Sequence, residues 1–276
     1  MKQILDIINE TADQRSDGWH ETRKSRATAS EIWKLIPNDS AASGSKDFKS
    51  KHEGFGKGAV TYIKRKAMEM YLDRPFVDDL DNVWKINFGK NWESAAIGMV
   101  QYIKDIKEIQ SSPPFIKYGK NPNIAGGSPD FLSNVLGVGE VKSTNNEYEQ
   151  AKRWDLVKSI ADMKECGDKT VEHGYWQLLA NGLFSGIDVL TFVSFCPSYL
   201  AGYTDDREYL DFSCGYAFEN TSKQNLELGV HIVVGEPNQD DQGIIIDCLD
   251  RYEKLRNRFY EELLEKNRKP ISLSIS

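Results

Sequence analysis

The sequence of 276 residues predicts an α/β protein, with a mixed central β-sheet flanked by helices. Residues 189–195 are a run of β-branched and aromatic side chains, which is typical of a buried strand. Residues 126–142, GGSPDFLSNVLGVGEVK, have the pattern of a β-hairpin with a turn at Gly126 and Gly127. Residues 90–104 and 244–266 repeat apolar side chains at helical spacing, so they predict amphipathic helices.

The rest of the chain is divided by the same patterns. Further helices are predicted over residues 2–14, 58–73, 148–164 and 171–184, and further strands over 209–214 and 230–234. Thr28 and Glu31 have the form of a capping box that opens a helix ended by Pro37. Residues 39–58 are rich in Ser, Gly and Lys and predict a loop. Because internal repeats and Pro-rich linkers are absent from the sequence, we expect one domain over residues 1–276.

Composition excludes several classes of protein. Apolar residues make up 39% and charged residues 28% of the chain, as in ordinary globular proteins. The sequence has no apolar run long enough to span a membrane, and its first residues are too acidic for a signal peptide, so we expect a cytoplasmic protein. The four cysteines form no CxxC pair or zinc-spaced cluster, which argues against zinc and iron–sulfur sites.

The net charge of −7 is unusual for a protein that binds nucleic acid, because phosphate contacts are made by Lys and Arg. A local basic track is sufficient, however, for an enzyme that must also release its substrate. Two basic clusters are present, and each is equally compatible with a solvated helix face. They consist of Arg23, Lys24 and Arg26, and of Lys64, Arg65 and Lys66.

Three charged residues lie inside the predicted hairpin. Alternation along a strand places Glu140 and Lys142 on one face, and Asp130 on the neighbouring strand shares that face. Two adjacent carboxylates repel each other unless a cation lies between them, and a hard ion such as Mg²⁺ prefers oxygen ligands. The alternative is a solvated face with weak cross-strand ion pairs.

The motif SPD ending at Asp130, followed by GEVK ending at Lys142, resembles the metal-binding core of the PD-(D/E)xK nuclease superfamily. Within it, the chain resembles the lambda exonuclease or YqaJ-type viral recombinase family. The narrower resemblance depends on WHETRKSRATAS at 19–30, FGKNWESAA at 88–96 and the stretch from YWQLLANGLF to FVSFCP at 175–197. It covers residues 19–197, with a weaker match over the predicted C-terminal strand and helix at 230–267.

The resemblance implies a restriction-endonuclease-like core with a metal centre. Asp130, Glu140 and the carbonyl of Val141 would bind Mg²⁺, or alternatively Mn²⁺, with two ions per site. Lys142 and Glu93 would orient and activate the attacking water. Glu93 is equally explained as a favourable charge in the first turn of its helix.

Two further assignments come from the resemblance. Gln177 would help to place the scissile phosphate and the water, although a helix-surface amide is the alternative. Arg23 and Ser30 would hold the 5′-phosphate of a DNA end, whereas without the resemblance Ser30 is simply a residue at a helix start.

The function implied is a metal-dependent 5′-to-3′ exonuclease on double-stranded DNA ends. It would leave 3′ single-stranded tails for an annealing partner in phage-type recombination, and it would assemble as a ring-shaped homotrimer. Two alternatives stay open, namely a PD-(D/E)xK endonuclease acting on DNA or RNA, and a non-catalytic nucleic-acid-binding protein with the same fold. The stretch 199–228 resembles an insertion and bears on the assembly.

Overall fold

The computed structural model describes residues 16–37, 44–77, 83–204 and 212–268. Its helices are α1 (Asp17–Arg23), α2 (Lys46–Lys51), α3 (Lys57–Leu72), α4 (Trp84–Lys104), α5 (Glu147–Leu156), α6 (Lys169–Ser185), α7 (Cys214–Asn220), α8 (Lys223–Gly229) and α9 (Gln239–Arg268). Short 3₁₀ helices cover Ala29–Lys34, Ala161–Glu165 and Pro197–Tyr199. The strands are β1 (Ala27–Thr28), β2 (Gln110–Ser111), β3 (Ile116–Lys117), β4 (Ala125–Gly127), β5 (Phe131–Ser133), β6 (Gly137–Ser143), β7 (Leu190–Phe195) and β8 (Val230–Gly235). Across these ranges, we find no helix with the length and apolar character that crossing a bilayer requires.

The central sheet has five strands in the order β2-β5-β6-β7-β8. Strands β5 and β6 form the predicted antiparallel hairpin, β6 and β7 are parallel, and β8 is antiparallel to β7. A parallel pair requires a crossover connection, which is supplied here by α5 and α6 between β6 and β7. The sheet is mixed and flanked by helices, so the predicted α/β class is confirmed.

Apolar cores cover both faces of this sheet. Val138 and Phe192 belong to a core shared with α3, α6 and α9, whereas Val141 and Val193 belong to a core shared with α4. Full burial of a side chain such as Phe192 contributes about 1.5–3 kcal/mol. Because β6 is buried on both faces, a charged residue on this strand is largely removed from water.

A second sheet of three strands, in the order β1-β4-β3, contains the glycine pair for which a turn was predicted. That prediction is wrong, because Gly126 and Gly127 lie in strand β4. A Cβ atom on Gly126 would lie 2.4 Å from Cε1 of Phe115, and one on Gly127 would lie 2.1 Å from Oδ1 of Asn181. The glycines therefore permit close packing, a role that the sequence pattern does not distinguish from a turn.

The segment after β1 forms the 3₁₀ helix at Ala29–Lys34 in place of the predicted α-helix. The side chain of Thr28 makes no capping bond to the backbone; its hydroxyl donates to Oε2 of Glu31 at 3.4 Å. Glu31 also pairs with Lys34, with Nζ 2.5 Å from Oε1. The predicted capping box is wrong because Thr28 and Glu31 contact each other and Lys34, and Thr28 does not cap the backbone of the helix.

Most other predicted elements are confirmed. Those predicted at 58–73, 171–184, 189–195, 230–234 and 244–266 correspond to α3, α6, β7, β8 and α9. The helix predicted at 148–164 is divided into α5 and a separate 3₁₀ helix. The described part of the predicted loop at 39–58 contains α2, which begins because the hydroxyl of Ser45 accepts from the backbone N–H of Phe48 at 3.2 Å.

Two predictions fall wholly or partly outside the described residues. The helix at 2–14 lies outside them, as do residues 209–211 of the strand predicted at 209–214. In the remaining part of that strand the prediction is wrong, because Cys214 begins α7. The hydroxyl of Ser213 caps this helix by accepting from the backbone N–H of Tyr216 at 3.3 Å.

Candidate active site

The hairpin β5–β6 brings two carboxylates together where β5 begins, and we call the site formed by Asp130, Glu140 and Lys142 the strand edge. Asp130 directly precedes Phe131, which pairs with Gly139, and its charge acts on the neighbouring Glu140. The backbone N–H of Asp130 donates to the carbonyl of Gly139 at 3.0 Å. Its carboxylate Oδ2 accepts from the backbone N–H of Val141 at 2.6 Å. Backbone hydrogen bonds thus hold both the main chain and the carboxylate of Asp130.

Glu140 is the more deeply buried carboxylate, with 1% of its surface exposed. Oε1 pairs with Nζ of Lys142 at 2.5 Å, whereas Oε2 is buried without a hydrogen-bond partner. The pKa of Glu140 is raised to about 8, chiefly by burial and then by the charge of Asp130, while Lys142 opposes both effects and Glu93 adds a smaller increase. Burial and the neighbouring carboxylates together therefore outweigh the attraction of Lys142.

The donor set fits a hard divalent cation. Buried carboxylate oxygens and a carbonyl oxygen are the ligands that such ions prefer, and the unpaired Oε2 of Glu140 is available to one. A strand residue directs its N–H and C=O to the same side, so the carbonyl of Val141 projects towards Asp130, as its N–H does. Within the described ranges, three or more His, Cys, Asp or Glu side chains do not converge as metal ligands. The candidate set is thus two side chains and one carbonyl.

The side chain of Lys142 extends from strand β6 towards helix α6. Its Nζ is 3.4 Å from Oε1 of Gln177, in addition to its contact with Glu140. A Cβ atom on Gly174 would lie 3.0 Å from Cε of Lys142, so the glycine leaves room for the lysine to pass the helix. Burial lowers the pKa of Lys142, but the attraction of Glu140 and Asp130 outweighs it and the net shift is upward. The lysine is therefore a cation at neutral pH.

Glu93 lies on α4, the helix that covers the opposite face of the sheet. The predicted helix over 90–104 extends back to Trp84, so Glu93 is in its third turn and not in the first turn as predicted. This removes the helix-dipole explanation, since the dipole acts within the first turn. The carboxylate of Glu93 contributes to the raised pKa of Glu140, which places the two in one electrostatic environment.

Arg23 and Ser30 meet in a separate cavity of about 280 Å³, which we call the Arg23 pocket. The guanidinium Nη2 donates to Oγ of Ser30 at 3.2 Å, and the guanidinium carbon lies 4.0 Å from the centroid of the Trp19 ring. Burial lowers the pKa of Arg23, while acidic groups such as Glu31 oppose this shift. The pocket is lined by Trp19, His20, Arg23, Lys24, Ser30, Glu31, Arg65, Lys66, Glu69, Pro75, Phe76 and Val77.

Two residues that the sequence analysis did not select connect this pocket with the strand edge. Nε1 of Trp19 donates to Oγ of Ser128 at 3.0 Å. Ser128 precedes Asp130 by two residues, and Trp19 lies one helical turn before Arg23. Two signals were present in the sequence: Trp19 and Arg23 have i,i+4 spacing, and Ser128 is the first residue of the SPD motif. The contact between Trp19 and Ser128 could not be predicted from them, because the two residues are 109 positions apart.

Arg153 is a third residue that the sequence analysis did not select, and it stabilises strand β6. Its Nε pairs with Oδ2 of Asp168 at 2.7 Å, and its Nη1 donates to the carbonyl of Lys142 and to Oγ of Ser194, each at 3.3 Å. The Arg153 side chain is 4% exposed. A buried arginine shared by β6, β7 and the start of α6 fixes the backbone from which Lys142 extends.

Comparison with solved structures identifies the fold. Over 91% of this chain and 98% of the other, the alkaline exonuclease LHK-Exo from Laribacter hongkongensis aligns with a TM-score of 0.60 and 15% identity. The chain has the fold of this exonuclease. Its complex with dAMP aligns with a TM-score of 0.59, again at 15% identity over the same shares of the two chains. A phage-related exonuclease from Haemophilus somnus 129PT aligns with a TM-score of 0.56 and 12% identity over 88% of this chain and 96% of the other.

At the level of sequence, no model of a protein family matches the chain, and no curated protein matches it. The structural likeness extends over most of the chain and confirms the restriction-endonuclease-like, PD-(D/E)xK fold class predicted from the SPD and GEVK motifs. Identities of 12% to 15% show the fold alone.

Proposed function

We propose that this protein is a metal-dependent exonuclease that digests double-stranded DNA ends in the 5′-to-3′ direction. The observation that carries the proposal is the direct link between two sites. Asp130, Glu140 and Lys142 form the strand edge, and the hydrogen bond from Trp19 to Ser128 connects it to the Arg23 pocket. The first set is suited to a cation and a reacting phosphate, and the second to an anionic end. The structural neighbours are themselves named as exonucleases.

Asp130, Glu140 and the carbonyl of Val141 would hold Mg²⁺, or alternatively Mn²⁺. A bound divalent cation supplies charge neutralisation and Lewis acidity towards the phosphodiester. The ammonium of Lys142 stabilises the negative charge that develops on the phosphate, and Gln177 orients this ammonium and the phosphate from α6. Glu93 accepts a proton from the water that attacks in line.

The Arg23 pocket would bind the 5′-phosphate. The guanidinium offers a planar set of donors, and the hydroxyl of Ser30, already 3.2 Å from it, adds another. Stacking on Trp19 keeps the guanidinium in one orientation. An enzyme that holds a phosphorylated 5′ end beside a hydrolytic centre removes nucleotides from that end, which gives the proposed direction and leaves a 3′ single-stranded tail.

We further propose that these tails serve phage-type recombination with a single-strand annealing protein as partner, and that the enzyme acts as a homotrimer. The phage-related exonuclease from Haemophilus somnus 129PT, which shares the fold, supports the first part. The homotrimer is proposed from the resemblance of the sequence motifs alone.

Digestion of linear duplex labelled at either end, beside a closed circle, tests the activity. With Mg²⁺ the protein should release the 5′ label first, spare the circle and leave the 3′ label on a longer strand, and EDTA should abolish digestion. Cutting of the circle would instead show an endonuclease. Absence of digestion with both Mg²⁺ and Mn²⁺ would show a binding protein and overturn the proposal.

A further inference from the structure

A second cavity, of about 630 Å³, lies between the 3₁₀ helix at Ala29–Lys34 and helices α2 and α3. We call it the side cavity. Its volume is within the range of about 300–1,000 Å³ typical of small-molecule sites. The wall is formed in large part by aromatic and aliphatic side chains, which include Trp33, Leu35, Ile36, Pro37, Phe55 and Tyr62.

In the part of the chain that the structure describes, the charged side chains that line the side cavity are all basic. Lys34, Lys49 and Arg65 line it, and the lining contains no Asp or Glu among the described residues. Nζ of Lys34 lies 5.7 Å from the centroid of the Trp33 ring and 5.3 Å from that of Tyr62. Glu31 pairs with Lys34 but does not line the cavity, so the lining itself is basic and, in a chain with a net charge of −7, such a concave surface favours an anion.

The amino-terminal end of α3 opens onto the same cavity. This helix of 16 residues has Gly56 as its N-cap, without a capping side chain and without an acidic residue in its first turn. Gly56 and Gly58 both line the cavity, and a Cβ atom on Gly58 would meet no atom within 4 Å. The unpaired N–H groups and the helix dipole therefore add to the positive potential of the basic residues.

The side cavity is next to both parts of the candidate active site. The ring of Trp33 stacks on His173 of α6 with centroids 3.7 Å apart and an interplanar angle of 8°. His173 lies one turn before Gln177 on that helix. Arg65 lines both the side cavity and the Arg23 pocket. The side cavity thus shares a wall residue with the Arg23 pocket, and its Trp33 contacts the helix that carries Gln177.

We propose that the side cavity binds a nucleoside 5′-monophosphate, with the phosphate near the start of α3 and the base against the aromatic wall. The combination of an apolar aromatic wall with clustered cations and free N–H groups matches a ligand that has a flat ring at one end and a dianion at the other. The choice of this ligand rests on the proposed exonuclease function, which produces nucleoside monophosphates next to this cavity.

The test is titration of the full chain with deoxyguanosine 5′-monophosphate in EDTA, followed by calorimetry. Gly58→Asp places a carboxylate in the cavity and should weaken binding at least tenfold, whereas the matched neutral variant Gly58→Asn should weaken it less than threefold. Deoxyguanosine, which lacks the phosphate, should bind at least tenfold more weakly than the monophosphate to the wild type. Both variants should fold, because a Cβ atom at Gly58 meets no neighbour and Asp is favourable in a first helical turn.

Lys49→Glu, with Lys51→Glu on the same helix as its control, provides a second pair if Gly58→Asp does not fold. Lys49 lines the cavity, and Lys51 is exposed elsewhere on α2. Equal affinity of the wild type and the cavity variants would overturn the proposal, as would binding that Lys142→Ala or Arg23→Ala abolishes while Gly58→Asp does not. Duplex digestion is measured in parallel, so a protein that binds the nucleotide in the cavity but cuts no DNA would refute only the nuclease function.

Discussion

The strand edge around Glu140 and the Arg23 pocket each contain a buried carboxylate, but their hydrogen bonding differs. In the pocket, Oε2 of Glu69 accepts from the backbone N–H of Ser25 at 2.8 Å, Oε1 accepts from that of Phe76 at 3.3 Å, and Lys66 lies 3.0 Å away. At the strand edge, Oε2 of Glu140 has no hydrogen-bond partner. Removal of a satisfied carboxylate leaves its buried partners unpaired, whereas an unsatisfied carboxylate is consistent with a role in binding a ligand.

This difference predicts that removing a carboxylate has opposite effects on stability in the two regions. At the strand edge, the loss of one negative charge relieves repulsion between neighbours. In the pocket, the loss leaves a buried cation without its partner. Function should show the reverse dependence, since only the strand edge would hold the metal.

The largest effect is expected from Asp130→Asn. Digestion of linear duplex should fall on the order of a thousandfold, because the variant weakens cation binding and charge neutralisation. The melting temperature without metal should rise, since the charge of Asp130 disfavours ionised Glu140. Addition of Mg²⁺ should raise the melting temperature of the wild type but not of the variant. The exposed Asp188→Asn is the control, and a variant that digests at the wild-type rate would contradict the assignment.

Glu69→Gln should have the next largest effect, this time on stability. Lys66 and Glu69 are 6% and 1% exposed, and removing one partner of such a buried pair costs about 3 kcal/mol of unfolding free energy. Urea denaturation measures the loss. The exposed pair Lys223–Glu227 supplies the control Glu227→Gln, for which the change should stay below about 0.5 kcal/mol. Equal losses in the two variants would remove the distinction between the regions.

Arg23→Ala should act on substrate choice. We expect about tenfold slower digestion of 5′-phosphorylated duplex and a much smaller change for 5′-hydroxyl duplex, because only the former loses a charge-assisted contact. Initial rates on the two substrates give the ratio, with the exposed Lys46→Ala as the control for net charge. If both substrates slowed equally, the pocket would not bind the end phosphate.

Trp19→Phe should give the smallest effect. Phenylalanine keeps an aromatic ring under Arg23 but removes the N–H that donates to Ser128. Loss of one neutral hydrogen bond is worth about 0.5–1.5 kcal/mol, so digestion should slow a few-fold. Trp154→Phe, at a half-exposed position on α5, is the matched control and should digest at the wild-type rate.

The sequence predicted the parts of the fold that depend on local periodicity. The alternation in GEVK placed Glu140 and Lys142 on one face, and the apolar run at 189–195 predicted β7, which pairs with that strand. Helical spacing likewise predicted α6, and with it the position of Gln177. These patterns repeat within one element, so a short window of sequence contains them.

The errors arose where the decisive neighbour is distant in the chain. Gly126 resembles a turn residue until Phe115 is known to pack against it. Thr28 is an exception, since its neighbour is local: the helix after it is a short 3₁₀ helix, and its hydroxyl donates to Glu31 three residues along. The bond between Trp19 and Ser128 joins two segments whose separate patterns give no indication of contact.

That bond also has a consequence for the length of the products. The indole of Trp19 contacts the guanidinium of Arg23 and donates to the loop before Asp130, so it links the proposed site for an end phosphate directly to the proposed site of hydrolysis. A terminal phosphate bound at the first site would place the same backbone linkage at the second in every cycle. The fold would then act as a ruler, and fragment size would be set by the architecture of the protein, independent of the base sequence of the DNA.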